Sequence, residues 1–195
     1  MSGPPNTTKT VSRRRFLKVG VAGSAALALG GALAWQTRGY EVPAAVSSRL
    51  RALSPKEYLI AKAVAARVLR RDADDLPMPE ELHVAEYIDG MVARLDEANR
   101  TDLKRLLHVL EHVLPWSAAK PSRFTRLDGA GKDAVLASMM SSSVGLLRGA
   151  FEALKSLCVM AYFRDARTWG AIGYDGPLLN RPVEGWARLR VRERR

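Results

Sequence analysis

The stretch "SPKEYLIAKAVAARVL", Ser54–Leu69, carries its own instructions for a helix. Ser54 can cap the first turn, Pro55 suits the first helical position, and Glu57 can close a capping box back onto Ser54. Leu59, Ile60, Ala63, Val64 and Val68 then recur at helical spacing, which gives one apolar face. Arg70 and Arg71 follow, where positive charge complements the negative end of the helix dipole. "DADDLPMPEE" reads as a loop leading to the next element.

The same period continues downstream. A helix over about Glu80–Ala98 would bury Val84, Ile88, Met91, Val92 and Leu95. Another starts near Asn99 or Thr101 and stops before Pro115, with Leu103, Leu106, Leu107, Leu110, Val113 and Leu114 as its stripe. A further helix begins near Asp128 and includes Val135, Leu136 and Met139. The last spans about Val144–Phe163. No stretch of the body alternates apolar and polar residues convincingly as a strand would, and the body has no internal repeat. The expected class is all-α: about five helices after an N-terminal signal helix, with an irregular Gly- and aromatic-rich C-terminal tail.

The N-terminal end reads differently. "SRRRFLK", Ser12–Lys18, matches the twin-arginine pattern S-R-R-x-F-L-K through Ser12, Arg13, Arg14, Phe16, Leu17 and Lys18. Val19–Trp35 follows as 17 residues without charge, of which six are Ala and four Gly. Such mild hydrophobicity suits the twin-arginine route, which exports folded proteins. Ala32-Leu33-Ala34 fits a small-residue cleavage site, so residues 1–34 form the expected signal peptide. A later cut near Ala45, or an uncleaved signal anchor, remains the alternative. The expected location is the periplasm, at the outer face of the cytoplasmic membrane.

The formal charge of +11 belongs to the two ends. Residues 1–40 hold six basic residues and no acidic one. Residues 181–195 hold six Arg and two Glu, within an Arg-rich tail over 179–195. The body between them is nearly neutral and has no basic stripe interleaved with aromatics, which argues against nucleic-acid binding. The single cysteine, Cys158, sits in an apolar helical run. It is either buried and inert or paired with another chain.

Candidate chemistry is sparse. His108-Val109-Leu110-Glu111-His112 fits H-x-x-E-H, with two imidazoles at i and i+4 and Glu111 as a possible base. Both His lie off the Leu stripe on the side of Lys104, which reads as a solvated polar face. The third histidine, His83, is distant in sequence. Asp72, Asp74 and Asp75 lack the glycine and terminal glutamate of a calcium loop. Phosphate-loop, dinucleotide and haem-attachment motifs are absent from the sequence. The expectation is therefore no catalytic residue, no metal site and no cofactor in this chain; a metal enzyme using His108 and His112 is the rival.

The most distinctive run is "YFRDARTWGAIGYDGP", Tyr162–Pro177. Its glycines and proline let the chain turn tightly and present Trp169 and Tyr174. Two compatible readings follow: the aromatics cover the end of the helical core, or they form a docking surface rich in hot-spot residue types.

This run is similar to the C-terminal signature of the gluconate 2-dehydrogenase subunit 3 family, roughly Y-F-S-D-x-R-x-W-x-x-I-G-Y-D-G-P. Tyr162, Phe163, Asp165, Arg167, Trp169, Ile172, Gly173, Tyr174, Asp175, Gly176 and Pro177 fit it. Upstream, "LSPKEYLIAKAVAARVL", "VAEYIDGMVARL" and "RFTRLDGAGKDAVL" resemble the family's helical segments, so the resemblance covers residues 50–178. Arg164 departs from the family's small residue, Gly129 and Gly131 weaken the expected cap of the Asp128 helix, and the Arg-rich tail has no counterpart. The resemblance implies a non-catalytic small subunit that binds a flavoprotein dehydrogenase large subunit of the glucose–methanol–choline class. That enzyme would act on a sugar or sugar acid, with FAD in the large subunit and haem c in a multihaem cytochrome c subunit. The small subunit's signal would carry the flavoprotein through the twin-arginine translocase. Tyr162, Phe163, Asp165, Arg167, Trp169, Tyr174 and Asp175 are then the expected partner-binding residues. The alternative is a standalone exported or membrane-anchored helical binding protein without a dehydrogenase partner.

Overall fold

The computed structural model describes residues 39–69, 76–120 and 122–177. The export signal (Ser12, Arg13, Arg14, Phe16, Leu17, Lys18), the Arg70–Arg71 pair, the acidic loop at Asp72, Asp74 and Asp75, and the Arg-rich tail lie outside the described residues. The chain divides into two units, Met1–Tyr40 and Glu41–Arg195. The second carries the fold described below.

All regular structure among the described residues is helical. A short α1 (Ala44–Ser47) precedes α2 (Pro55–Val68), α3 (Val84–Val92) and α4 (Glu97–His112). After α4 come a single turn, α5 (Leu114–Ser117), and a 3-10 turn at Phe124–Arg126. Then α6 (Gly129–Met140) and α7 (Gly145–Tyr162) lead into a 3-10 helix at Ala166–Ile172.

The centre is α2, which packs against α3, α4, α6 and α7. Its start follows the capping box foreseen from the sequence. The Glu57 backbone N–H donates to Ser54 Oγ at 3.3 Å, and the Ser54 N–H donates to Glu57 Oε2 at 2.7 Å. Ile60 and Val64 are fully buried from this helix. They meet Val84, Ile88 and Val92 of α3, Leu107 and Leu110 of α4, Val135 and Met139 of α6, and Leu154, Cys158 and Ala161 of α7 in one continuous core. Cys158 is 2% exposed, and burial pushes its thiol up to about 12. It is thus an inert core group, out of reach of a second chain.

The approach to α2 is held from α3. Asp89 is buried, and its carboxylate accepts the N–H groups of Arg51 at 2.7 Å, Ala52 at 3.0 Å and Leu53 at 2.7 Å. Three successive backbone donors converge on one anion, so the bend before α2 leaves none of them unsatisfied. At the far end of α2, Arg67 makes a fork onto Asp133 of α6, with Nε to Oδ1 at 2.8 Å. The fork ties together two helices that touch only lightly otherwise.

Helix boundaries shift where side chains cap them. The helix expected over Glu80–Ala98 is shortened to Val84–Val92. His83 takes a left-handed conformation (φ 50°) and cannot continue a preceding helix. At the other end Arg100 donates to the carbonyls of Ala93 at 3.1 Å and Leu95 at 2.8 Å, so a side chain closes α3. Asp96 then caps α4 by accepting from Asn99 N–H at 3.0 Å, which starts that helix earlier than expected. As expected, α4 stops before Pro115, at His112; the chain then takes one separate turn, with Pro115 in its tolerated first positions. Val113 leaves the apolar stripe there and is 56% exposed. The cap of α6 is intact: Asp128 Oδ1 accepts from Gly131 N–H at 2.7 Å. A Cβ on residue 131 would lie 2.8 Å from that oxygen, so the glycine accommodates the cap rather than weakening it. Within the stretch expected to be irregular, residues 166–172 form a 3-10 helix.

Replacing Asp89 with Ala strands three donors at the entry to the central helix. The expected cost is about 3 kcal/mol, read as a lower midpoint in urea unfolding with an unchanged slope. Wild-type stability in this variant would show that the carboxylate is not what holds the bend.

Candidate partner-docking surfaces

The run Tyr162–Pro177 folds largely onto itself. Tyr162 is 3% exposed, and its hydroxyl donates to Pro77 O at 2.8 Å, across the chain. Its ring meets Phe163 edge-on, with centroids 5.2 Å apart. Asp165 caps the 3-10 helix through Arg167 N–H at 3.0 Å and also accepts the Arg167 side chain at 2.9 Å and 3.0 Å. These bonds from Arg167 hold the Asp165 carboxyl down at about 2. Thr168 is fully buried and donates to Asp165 O at 2.7 Å. Trp169 Nε1 donates to Phe163 O at 2.8 Å, and its ring stands edge-on to Tyr174 at 5.1 Å.

Two glycines make this closure possible. Gly173 ends the 3-10 helix in the left-handed region (φ 63°). Gly176 (φ 96°) lies so close beneath Trp169 that a Cβ would meet the ring at 3.1 Å. Arg164, the departure from the family pattern, also works internally. It donates to Leu82 O at 3.0 Å and stands 4.5 Å over the Tyr87 ring, which fastens the run to α3.

The seven residues read as partner-binding are therefore brought together, but they do not share one exposure. Tyr162 is internal. Phe163, Asp165 and Trp169 are half-buried, and Arg167, Tyr174 and Asp175 face outward beside the exposed Ile172. What this surface offers a partner is an aromatic–aliphatic pair, Tyr174 and Ile172, on a rigid support.

A second surface has no motif to announce it. An open groove of about 790 Å³ runs between α4 and α7. Leu103, Leu106 and Val109 line it from α4, and Leu146, Ala150, Ala153, Leu157 and Met160 from α7. Leu146 is 82% exposed and Met160 52%. Asp102 and Arg105 supply its charge, and they pair with each other at 3.0 Å. The sequence signal that could have found it is the set of small residues, Gly145, Gly149, Ala150 and Ala153, inside an otherwise apolar helix.

The histidine motif sits in a different environment from the one expected. It is not a solvated face but a polar seam between α2, α4 and the turn at residues 123–125. Glu57 is buried there and lies 3.5 Å from Lys104 Nζ and 3.3 Å from His108 Nε2. Glu111 is fully buried and accepts from Thr125 Oγ1 at 2.7 Å and Thr125 N–H at 3.0 Å. His112 is partly buried, and desolvation together with the nearby Lys56 charge lowers its pKa. Glu111 is thus a structural acceptor, not an accessible base. Among the described residues no three His, Cys, Asp or Glu side chains gather as metal ligands. His83 stands apart at the start of α3, exposed beside Glu86.

The family model described as gluconate 2-dehydrogenase subunit 3 matches residues 55–176. The match begins at the first residue of α2 and ends at the glycine beneath Trp169. No curated protein and no solved structure matches the chain.

Gly176→Ala adds a side chain at a left-handed position against Trp169. It is expected to lower stability by about 1–2 kcal/mol and to open the run to trypsin at Arg164 and Arg167 before the rest of the domain. Digestion at the wild-type rate would show that the closure does not depend on this contact.

Proposed function

Since the chain belongs to the gluconate 2-dehydrogenase subunit 3 family, it is an accessory subunit of a dehydrogenase complex, and we propose that it acts without catalytic chemistry of its own. In this reading it binds a flavoprotein large subunit of the glucose–methanol–choline class and leads it out of the cytoplasm. The large subunit oxidises a sugar or sugar acid in the periplasm with its FAD. A multihaem cytochrome c subunit takes the electrons through haem c.

The observation that carries the reading is the extent of the family match, from α2 to Gly176. Three features of the chain support it. Among the described residues, three of its chemistry-bearing side chains hold the fold: Glu111 by Thr125, His108 against Glu57, and Asp165 by Arg167. The α4–α7 groove lacks the donors a dinucleotide phosphate would need, because its guanidinium, Arg105, is already paired with Asp102. Finally, Ser12–Lys18 is an address for folded cargo, which suits a flavoprotein that must take up its cofactor before crossing. Tyr174, Ile172 and Arg167 are the contacts proposed at the C-terminal surface.

Arg13→Lys combined with Arg14→Lys tests the escort role. Fractionation of the native host is expected to leave both this chain and the flavoprotein in the cytoplasm, with periplasmic dehydrogenase activity reduced at least tenfold. Normal export of the flavoprotein from that strain would refute the role.

A further inference from the structure

A cleft of about 460 Å³ opens between α3 and the stretch that runs from α1 towards α2. Val46, Leu50, Tyr87 and Met91 give it an apolar wall. Arg49 and Arg51 line it from the approach to α2, and Arg94 from just past the end of α3. All three arginines are exposed, and among the described residues their side chains make no hydrogen bond or ion pair. Most other arginines are engaged: Arg67 with Asp133, Arg100 with the end of α3, Arg105 with Asp102, and Arg167 with Asp165. Of the described arginines left over, Arg126 alone lies outside this cleft.

The carboxylates that line the cleft are committed elsewhere. Asp89 is buried and accepts three backbone N–H groups. Glu86 accepts the Tyr58 hydroxyl at 2.9 Å, with His83 Nδ1 at 3.9 Å. Three guanidiniums against two carboxylates leave a positive surplus, and their N–H donors stay open to an anion.

Charge also decides what that anion belongs to. Residues 1–40 hold six basic residues and no acidic one, and residues 181–195 set six Arg against two Glu. Residues 70–75 set two Arg against three Asp. None of these segments brings the carboxylates that three guanidiniums need. A second copy in an isologous pairing would set arginine against arginine. A bilayer offers a broad anionic plane, whereas these arginines line a recess with an apolar wall. A protein segment with Asp or Glu beside an apolar side chain meets both the charge and the wall. The cleft is also continuous with the C-terminal run: Tyr87 lines it, and Arg164 of that run stands 4.5 Å over the same ring.

We propose that this cleft receives an acidic segment of the dehydrogenase large subunit, whose carboxylates pair with Arg49, Arg51 and Arg94 while an apolar side chain packs on Val46, Leu50 and Met91. This rests on the accessory-subunit reading and extends its contact from Tyr162–Pro177 across Tyr87.

Arg49→Glu combined with Arg94→Glu reverses the charge on both sides of the cleft. Lys120→Glu combined with Lys155→Glu makes the same change in net charge at exposed positions outside it. Each variant is produced as the full chain in the native host, and the complex is isolated through a tag, with flavin absorbance reading the flavoprotein retained. Wild type and the lysine variant are expected to retain it equally, and the arginine variant at least tenfold less, with one thermal midpoint for all three. Arg94→Lys keeps the charge and supplies an amine. Carbodiimide treatment of that complex is expected to join position 94 to an Asp or Glu of the large subunit, which decides the matter independently of any change in stability. Equal retention by the arginine variant overturns the cleft assignment and leaves the accessory role standing. Absence of flavoprotein from wild type overturns both. A cross-link from position 94 to Asp72, Asp74 or Asp75 assigns the cleft to the chain's own loop and overturns the proposal. Arginine-dependent sedimentation with phosphatidylglycerol vesicles, with flavoprotein retention unchanged, assigns it to lipid and overturns the proposal as well.

Discussion

The carboxylate of Asp89 gathers three consecutive backbone N–H groups at residues 51–53 and so determines where the central helix begins. This constraint matters because α2 is shared by α3, α4, α6 and α7. A helix surrounded on so many sides cannot slide or fray without opening the whole core. Its first turn is doubly secured, by Asp89 just upstream and by the Ser54–Glu57 box at the start itself. Arg67 and Asp133 restrain the opposite end. Burial of Ile60, Val64 and their neighbours supplies the driving force, and these polar ties supply the register.

Much of this was legible because the signals are local. Ser54-Pro55-Lys56-Glu57 and Asp128 announce helix starts through residues three positions apart, and the Leu stripe of α4 repeats on a single face. Features that depend on distant residues were not legible. Asp89 looks like an ordinary polar position of α3, and only the fold brings residues 51–53 to it. Arg100 closes α3 from a helix that follows it, which no periodicity reveals. The seam around Glu57 made His108 and His112 resemble a solvated face, because the helix that covers that face lies more than 40 residues upstream. The groove follows the same logic: the small residues of α7 are visible in the sequence, but the wall that α4 builds beside them is not.

The C-terminal signature illustrates a division between holding and touching. Its most distinctive aromatics are spent on internal contacts, with Tyr162 bonded to Pro77 and Trp169 bonded to Phe163. Such a run can remain a recognisable motif because the closure demands Gly176 under a tryptophan ring and a left-handed Gly173. The part it leaves for a partner is small. A larger apolar area lies along α4 and α7, where a Cβ at Gly149 would meet nothing among the described residues. Among the described residues the fold thus joins a self-closed C-terminal run to an exposed apolar face along α4 and α7.

Hydrogen–deuterium exchange of the chain, alone and with the purified flavoprotein large subunit, tests the docking claim most directly. The account predicts slowed exchange in the complex over residues 169–176, and unchanged exchange in α2, whose inner face is already packed against four helices. Identical exchange with and without the flavoprotein, or protection confined to other faces of the domain, would contradict it.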